Sequence, residues 1–244
     1  MKQPPTLVFL HLLGGSARTW QPVIDCFEQE VSTLTVDLPG FGDEADAPGD
    51  SVADMADAVA FGIGRAGLSD YVLVGHSMGA KVAAVVARRA EDGAAELTGL
   101  QKIVVMAGSP PSPEPMEEAT RRRMLAFFQS DRATNQRQAQ GFVDDNVSAH
   151  LSAALNEVAI GDVLRADSHR WRDWLTGGSQ EGIGPTVSAR CADPPSSWLA
   201  PTTRASALRL SAALWRRTSP TADRSTCRKR NTCCRWSSPP GSRP

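Results

Sequence analysis

Between Tyr71 and Arg89 the chain reads YVLVGHSMGAKVAAVVARR, a short apolar run that enters Gly75-His76-Ser77-Met78-Gly79 and leaves as an alanine-rich segment. The apolar run suits a buried strand and the segment after it a helix. A serine between two glycines at such a junction occupies a sharp turn. The glycines let the two backbones pass closely and the turn lifts the hydroxyl clear of the sheet. The next backbone N–H then points to where charge forms on an attacked carbonyl oxygen. A serine presented this way is a nucleophile in waiting, and it needs a base to take its proton.

The neighbouring sequence supplies the sheet for such a turn. Apolar runs at Thr6–His11, Ser32–Asp37, Tyr71–Val74 and Lys102–Gly108 read as strands. Helical patterns at Ala17–Glu30, Ser51–Ala66 and Met78–Ala90 separate them, the second opening on a Ser51/Asp54 capping pair. Strands alternating with helices predict an α/β fold, a parallel sheet flanked by helices with right-handed crossovers. After the turn SPPSPEP the pattern becomes helical, over Met116–Phe128, Ala133–Val143, Ala149–Ala159 and Asp162–Leu175. The expected organisation is a core over 1–110, a helical cap over 111–178, and an aberrant tail rich in Ser, Pro and Arg over 179–244.

Composition narrows the function classes. With 41% hydrophobic and 22% charged residues the chain is of the soluble globular type. No apolar run reaches the roughly 20 residues that span a bilayer. The opening MKQPPTLVFLHLLGG contains two prolines and a histidine and has no small-residue cleavage site, so a signal peptide is not expected and a cytoplasmic location is. The net charge of −1 conceals an asymmetry: 15 Lys+Arg against 25 Asp+Glu over residues 1–185, and 11 against 2 over 186–244. The basic part carries Cys191, Cys227, Cys233 and Cys234, but adjacent cysteines without a histidine do not make a zinc site. Its scattered arginines form no recognisable nucleic-acid module. The expected partner is a small-molecule substrate, with no nucleic acid, membrane, metal or cofactor; oligomeric state is not indicated.

Three segments, FLHLLGGSARTW, VDLPGFGDE and YVLVGHSMGAKVA, resemble the α/β-hydrolase superfamily in order and spacing, most closely its small capped, esterase-like serine hydrolases. The resemblance covers about the first 110 residues, and the cap extends it to about 180. It implies Ser77 as nucleophile, the backbone N–H groups of Leu13 and Met78 as the oxyanion hole, and Gly75 and Gly79 as the structural elbow. Leu12 stands where the family motif has glycine. A serine at 77 sets the chain apart from the epoxide-hydrolase and dehalogenase branches, which use aspartate. By this resemblance the chain opens at the family's third strand and acts on an ester, lactone or similar acyl bond of a small, partly apolar substrate. His11 is expected to brace the oxyanion loop, His76 to face away from Ser77, and Asp37 to fix its turn. Arg121-Arg122-Arg123 is expected to be a solvated helix face, and Cys26 a small buried residue.

The family order places an acid and then a histidine after the serine, on late loops. Here the histidines are His11, His76, His150 and His169, the late acids are Asp193 and Asp223, and the first carboxylate after the fourth strand is Glu114. Only His150 or His169, from the cap, is left to replace the missing base, and activity is expected to be impaired. The tail suggests a cause. Read one frame over, SSWLAPTTR gives access to L-L-V-A-G-A-D-D-P and RNTCCRW to H-L-L-P, which resemble the family's acid and histidine loops. A slipped reading frame near Ser179–Cys191 is the expectation; the alternative is a non-catalytic α/β-hydrolase-like protein.

Overall fold

The computed structural model describes residues 4–27, 31–147 and 151–183. His150, the tail's cysteines, Asp193, Asp223 and the shifted-frame motifs lie outside them.

Four strands, Thr6–Leu10 (β1), Thr33–Val36 (β2), Tyr71–His76 (β3) and Leu100–Met106 (β4), form a parallel sheet in the order β2-β1-β3-β4. Leu10 lies opposite Val36 on one side and Gly75 on the other. Side chains alternate between two cores, as the period of an extended chain requires. Val8, Leu10, Tyr71 and Leu73 enter one core, with helices α2 (Val52–Arg65) and α3 (Met78–Glu91). Leu7, Phe9, Val72 and Val74 enter the other, against Trp20, Val23, Ile24 and Phe27. Helix α2 begins as expected: the Ser51 hydroxyl accepts from the Asp54 N–H, and Asp54 accepts from the Ser51 N–H at 3.0 Å.

Two expected helices differ. In place of a helix over Ala17–Glu30 there is a three-ten turn, Ala17–Trp20, followed by a single α-turn, Gln21–Ile24 (α1). Pro22 has no N–H to donate and makes a new helical start inside the segment. The apolar residues still reach the sheet, so their spacing was informative although the helix does not propagate. Further on, four helices follow β4: Glu118–Leu125 (α4), Arg132–Asn146 (α5), Ala153–Arg165 (α6) and Ser168–Thr176 (α7). The last break falls at Asp167, not between Ala159 and Asp162. Asp167 caps α7 by accepting from the N–H groups of His169 and Arg170 at 3.0 and 2.9 Å. Gly161 sits within α6 with nothing close to its α-carbon's open side.

These helices lie over the carboxyl edge of the sheet. The Asp167 N–H donates to the Gly40 carbonyl in the loop after β2, at 2.9 Å. Trp171, 1% exposed, anchors them: its ring stacks on Phe127 at 5.4 Å between centroids and meets Phe142 edge-on at 5.1 Å. Its indole N–H donates to the Met124 carbonyl at 2.9 Å. Arg122 and Arg123 are solvated, as expected. Arg121 is not: its guanidinium reaches the Leu175 carbonyl at the end of α7, a group that a helix leaves without an internal donor.

Truncating Trp171 removes the aromatic centre of this packing. Trp171→Ala is expected to cost about 3–5 kcal/mol, measured as a lower urea midpoint at unchanged slope, and Trp171→Phe clearly less.

Candidate active site

Ser77 joins β3 to α3 with φ 51° and ψ −113°, one of three non-glycine residues with positive φ among the described residues. A conformation this sparsely populated costs on the order of 1–3 kcal/mol and persists where the surroundings enforce it. Here the enforcement is visible. A Cβ on Gly75 would lie 2.5 Å from the Gly79 carbonyl oxygen, and one on Gly79 would lie 2.5 Å from the Leu10 carbonyl oxygen. Only glycines allow helix, strand and loop to approach this closely. The Ser77 N–H donates to the Met106 carbonyl at 2.9 Å, and the Ser77 carbonyl accepts from the N–H groups of Ala80 and Ser109 at 3.0 and 3.1 Å. The serine side chain is left half-buried and makes no capping bond to the helix.

The loop after β1 meets the elbow directly, because the Gly79 N–H donates to the His11 carbonyl at 3.1 Å. Leu12 to Gly15 closes as a turn, the Gly15 N–H donating to the Leu12 carbonyl at 3.0 Å. Leu12 is thus accommodated where the family motif has glycine. The Met78 N–H opens α3, where first-turn N–H groups have no intrahelical acceptor. No acceptor for the Leu13 N–H is found among the described residues. Leu13 and Met78 are themselves buried, at 6% and 0% exposure.

Among the described residues no histidine is hydrogen-bonded to the Ser77 hydroxyl. His11 is fully buried and uses both ring nitrogens: Nδ1 donates to the Leu12 carbonyl at 2.8 Å and Nε2 accepts from the Leu38 N–H at 3.0 Å. Desolvation pushes its pKa down. It is a neutral brace between two loops. His76 continues the side-chain face of Val72 and Val74, and its ring meets Trp20 edge-on at 6.3 Å. Burial, helped by nearby His11, lowers its pKa to about 4. His169 is exposed near the start of α7, lining a surface hollow with Leu125, Phe128 and Arg172. Asp37 holds its turn as expected, accepting from the Ala17 N–H at 2.7 Å and the Asp43 N–H at 3.1 Å. Cys26 is half-buried, not buried, with its thiol against the Pro22 carbonyl.

Sequence reasoning missed three polar groups around the elbow. Ser109, after β4, binds the Ser77 carbonyl through its N–H and donates its hydroxyl to Glu114 at 2.7 Å. Lys81, one turn into α3 and 1% exposed, donates to the Gly178 and Ser179 carbonyls at 3.0 and 3.1 Å. Its burial lowers its pKa while Glu114 and Glu181 oppose that shift, and the carbonyl acceptors suit the ammonium form. Asp162 on α6, 1% exposed, accepts from the Ser16 hydroxyl at 2.7 Å and from Arg18 at 3.1 Å. A lone lysine in the otherwise apolar stretch Met78–Ala87 of α3 was a legible signal; the partners of Ser109 and Asp162 were not. Among the described residues no cluster of His, Cys, Asp or Glu is arranged to hold a metal, and no helix is long and apolar enough to cross a membrane.

A strained serine between strand and helix, at the carboxyl edge of a parallel sheet with helices above it, defines an α/β-hydrolase architecture. The chain belongs to the alpha/beta hydrolase family, whose model matches residues 7–231. It is similar to the 2-succinyl-6-hydroxy-2,4-cyclohexadiene-1-carboxylate synthase of Citrobacter koseri, 36% identical over 119 residues, or 49% of this chain and 44% of that protein. The protein of the same name from Escherichia coli O9:H4 (strain HS) is 35% identical with the same coverage. The match thus spans under half the length of these curated relatives. Among solved structures, an esterase from Exiguobacterium antarcticum superposes with a TM-score of 0.62 at 18% identity, covering 75% of this chain and 69% of that one. A putative aryl esterase from Burkholderia cenocepacia gives 0.59 at 21%, covering 74% and 66%. At such identities the likeness is one of fold.

The buried His76 makes a pH prediction. Its folded-state pKa of about 4 lies below the ordinary 6.5, so the unfolded chain takes up the proton first as pH falls. The stability contributed by the neutral ring is complete above about pH 6.5 and is lost as pH falls through about 4. Replacing it with the non-titrating His76→Phe is expected to reduce the loss of unfolding free energy between pH 7 and pH 4 by roughly 3 kcal/mol. Parallel pH profiles for the two proteins would contradict this.

Proposed function

We propose that the chain is a serine hydrolase acting on an ester, lactone or similar acyl bond of a small, partly apolar substrate. Residues 1–110 form its core and 111–178 its helical cap. In this reading Ser77 Oγ attacks the carbonyl carbon, and the N–H groups of Leu13 and Met78 stabilise the developing oxyanion. The Ser77 proton passes through water to the leaving group as its bond to the acyl carbon breaks, and a second water then adds to that carbon, releasing the acid and returning a proton to Ser77 Oγ. The single observation that carries the reading is the strained elbow at Ser77, bonded through Gly79 to the loop that bears Leu13.

The reading also includes impairment. His11 and His76 are committed elsewhere, and no histidine follows residue 169. A site with a staged serine and oxyanion donors but no base retains about 10³–10⁴-fold catalysis over water. A frame slip near Ser179–Cys191 accounts for the loss, and sequencing the coding DNA tests it: with no single-base change joining the two frames, that cause is excluded. A second reading is favoured by the match to the synthases, whose name describes a carboxylate bearing a succinyl group. It puts an acidic substrate at the same serine, and protection of Ser77 from labelling by succinate-bearing compounds but not by neutral esters would favour it.

A fluorophosphonate probe is expected to label this chain slowly and faster with imidazole as external base, and not to label Ser77→Ala. Aryl-ester turnover is expected to follow the same order. Equal labelling of Ser77→Ala would overturn the assignment of the nucleophile. Turnover at ordinary enzyme rates without added base would overturn the impairment.

A further inference from the structure

The loop that carries Leu13 is gripped from above. Ser16, at the end of that loop, is fully buried, and its hydroxyl is used in both senses: it accepts from the Arg18 N–H at 3.2 Å and donates to Asp162 Oδ2 at 2.7 Å. The other Asp162 oxygen takes Arg18 Nη2 at 3.1 Å. Asp162 comes from α6, 146 positions along the chain from Ser16. Beside it the same helices close over Gly14, which has φ +70°. A Cβ there would lie 2.9 Å from the Trp171 ring and 3.2 Å from Val163. A buried carboxylate is tolerated only where hydrogen bonds or charges compensate its desolvation. Here the hydrogen bonds come from below, from Ser16 and Arg18, while Arg165 on the same helix adds a favourable charge at longer range.

We propose that Asp162 is a positioning residue that clamps the Leu12–Ser16 loop to the overlying helices and so holds the Leu13 N–H in place as an oxyanion donor. The functional half of this statement rests on the hydrolase reading; the clamp itself does not. The Arg18 side chain is half exposed, 53%, so its ion pair is the weaker arm, and the buried Ser16 bond is the stronger. Removing the carboxylate leaves the Ser16 hydroxyl proton without an acceptor in a site sealed from water. The loop then keeps its local bonds, the Gly15 turn, the His11 ring on the Leu12 carbonyl and the Thr19 hydroxyl on the Ser16 N–H, but loses its hydrogen bond to the overlying helix.

The test compares wild-type full-length chain with Asp162→Ala and Asp162→Asn, the latter keeping an oxygen acceptor. Amide hydrogen exchange read by mass spectrometry decides the clamp. Peptides covering residues 11–16 are expected to exchange at least about tenfold faster in Asp162→Ala, to be largely restored in Asp162→Asn, and to leave the β3–α3 elbow unchanged. Fluorophosphonate labelling of Ser77 with added imidazole decides its consequence. It is expected to slow about tenfold or more in Asp162→Ala, against the 10²–10³ of losing a donor outright. Unchanged exchange in the 11–16 peptides overturns the clamp, and so does acceleration spread evenly over the whole chain. Faster exchange with unchanged labelling overturns the positioning role. A wild-type chain that never labels at Ser77 sinks the hydrolase reading, and exchange alone then judges the clamp. Should Asp162→Ala fail to fold, Ser16→Ala removes the same bond without touching the charge and carries the same predictions.

Discussion

The close approach of β3, α3 and the loop after β1 is the constraint on which the rest of this structure depends. It needs two residues without a Cβ, Gly75 and Gly79, and it places Ser77 in a backbone conformation that an L-residue rarely adopts. The strain is held by ordinary means: N–H groups at 77, 79, 80 and 109 find carbonyl acceptors in or beside the turn. Those bonds tie three strands together at one edge. The register of β1 against β3 and β3 against β4 and the position of the Leu13 loop follow from the same short segment.

Above that edge the helices after β4 do more than cover apolar surface. Trp171 organises an aromatic cluster, Asp162 binds the loop below, Asp167 caps the start of α7, and Arg121 reaches across from α4 to the end of α7. On the far side of the elbow, Lys81 fastens α3 to the chain leaving α7 through the Gly178 and Ser179 carbonyls. The histidines are distributed by the same logic. Two are buried, depressed in pKa and spent on packing or loop bracing, and a third is on the surface. A strained serine with no described histidine hydrogen-bonded to it is the arrangement behind the proposed impaired-hydrolase reading.

What could be read from the sequence was what local chemistry determines. The elbow, the four strands, the Ser51 cap and the roles of Asp37 and His11 all follow from residue types a few positions apart. The helix expected over Ala17–Glu30 from its apolar spacing does not form as one element, because Pro22 has no N–H to donate and starts a new turn inside it. The break at Asp167 was legible as a capping aspartate, but Gly161 was the more conspicuous punctuation. Asp162 and Ser109 could not be placed, because each acquires meaning only from a partner that tertiary packing supplies, and Lys81, conspicuous as a lone charge in the first turns of α3, gave no sign of its acceptors at Gly178 and Ser179. For Asp162 that partner, Ser16, is 146 positions away.

The most direct measurement is a crystal structure of the full-length chain carrying a phosphonate on residue 77. The account predicts a bond from Ser77 Oγ to phosphorus, with one phosphoryl oxygen within hydrogen-bonding distance of both the Leu13 and Met78 amides. A phosphonate attached elsewhere, or one at Ser77 whose oxygens point away from those amides, would contradict it.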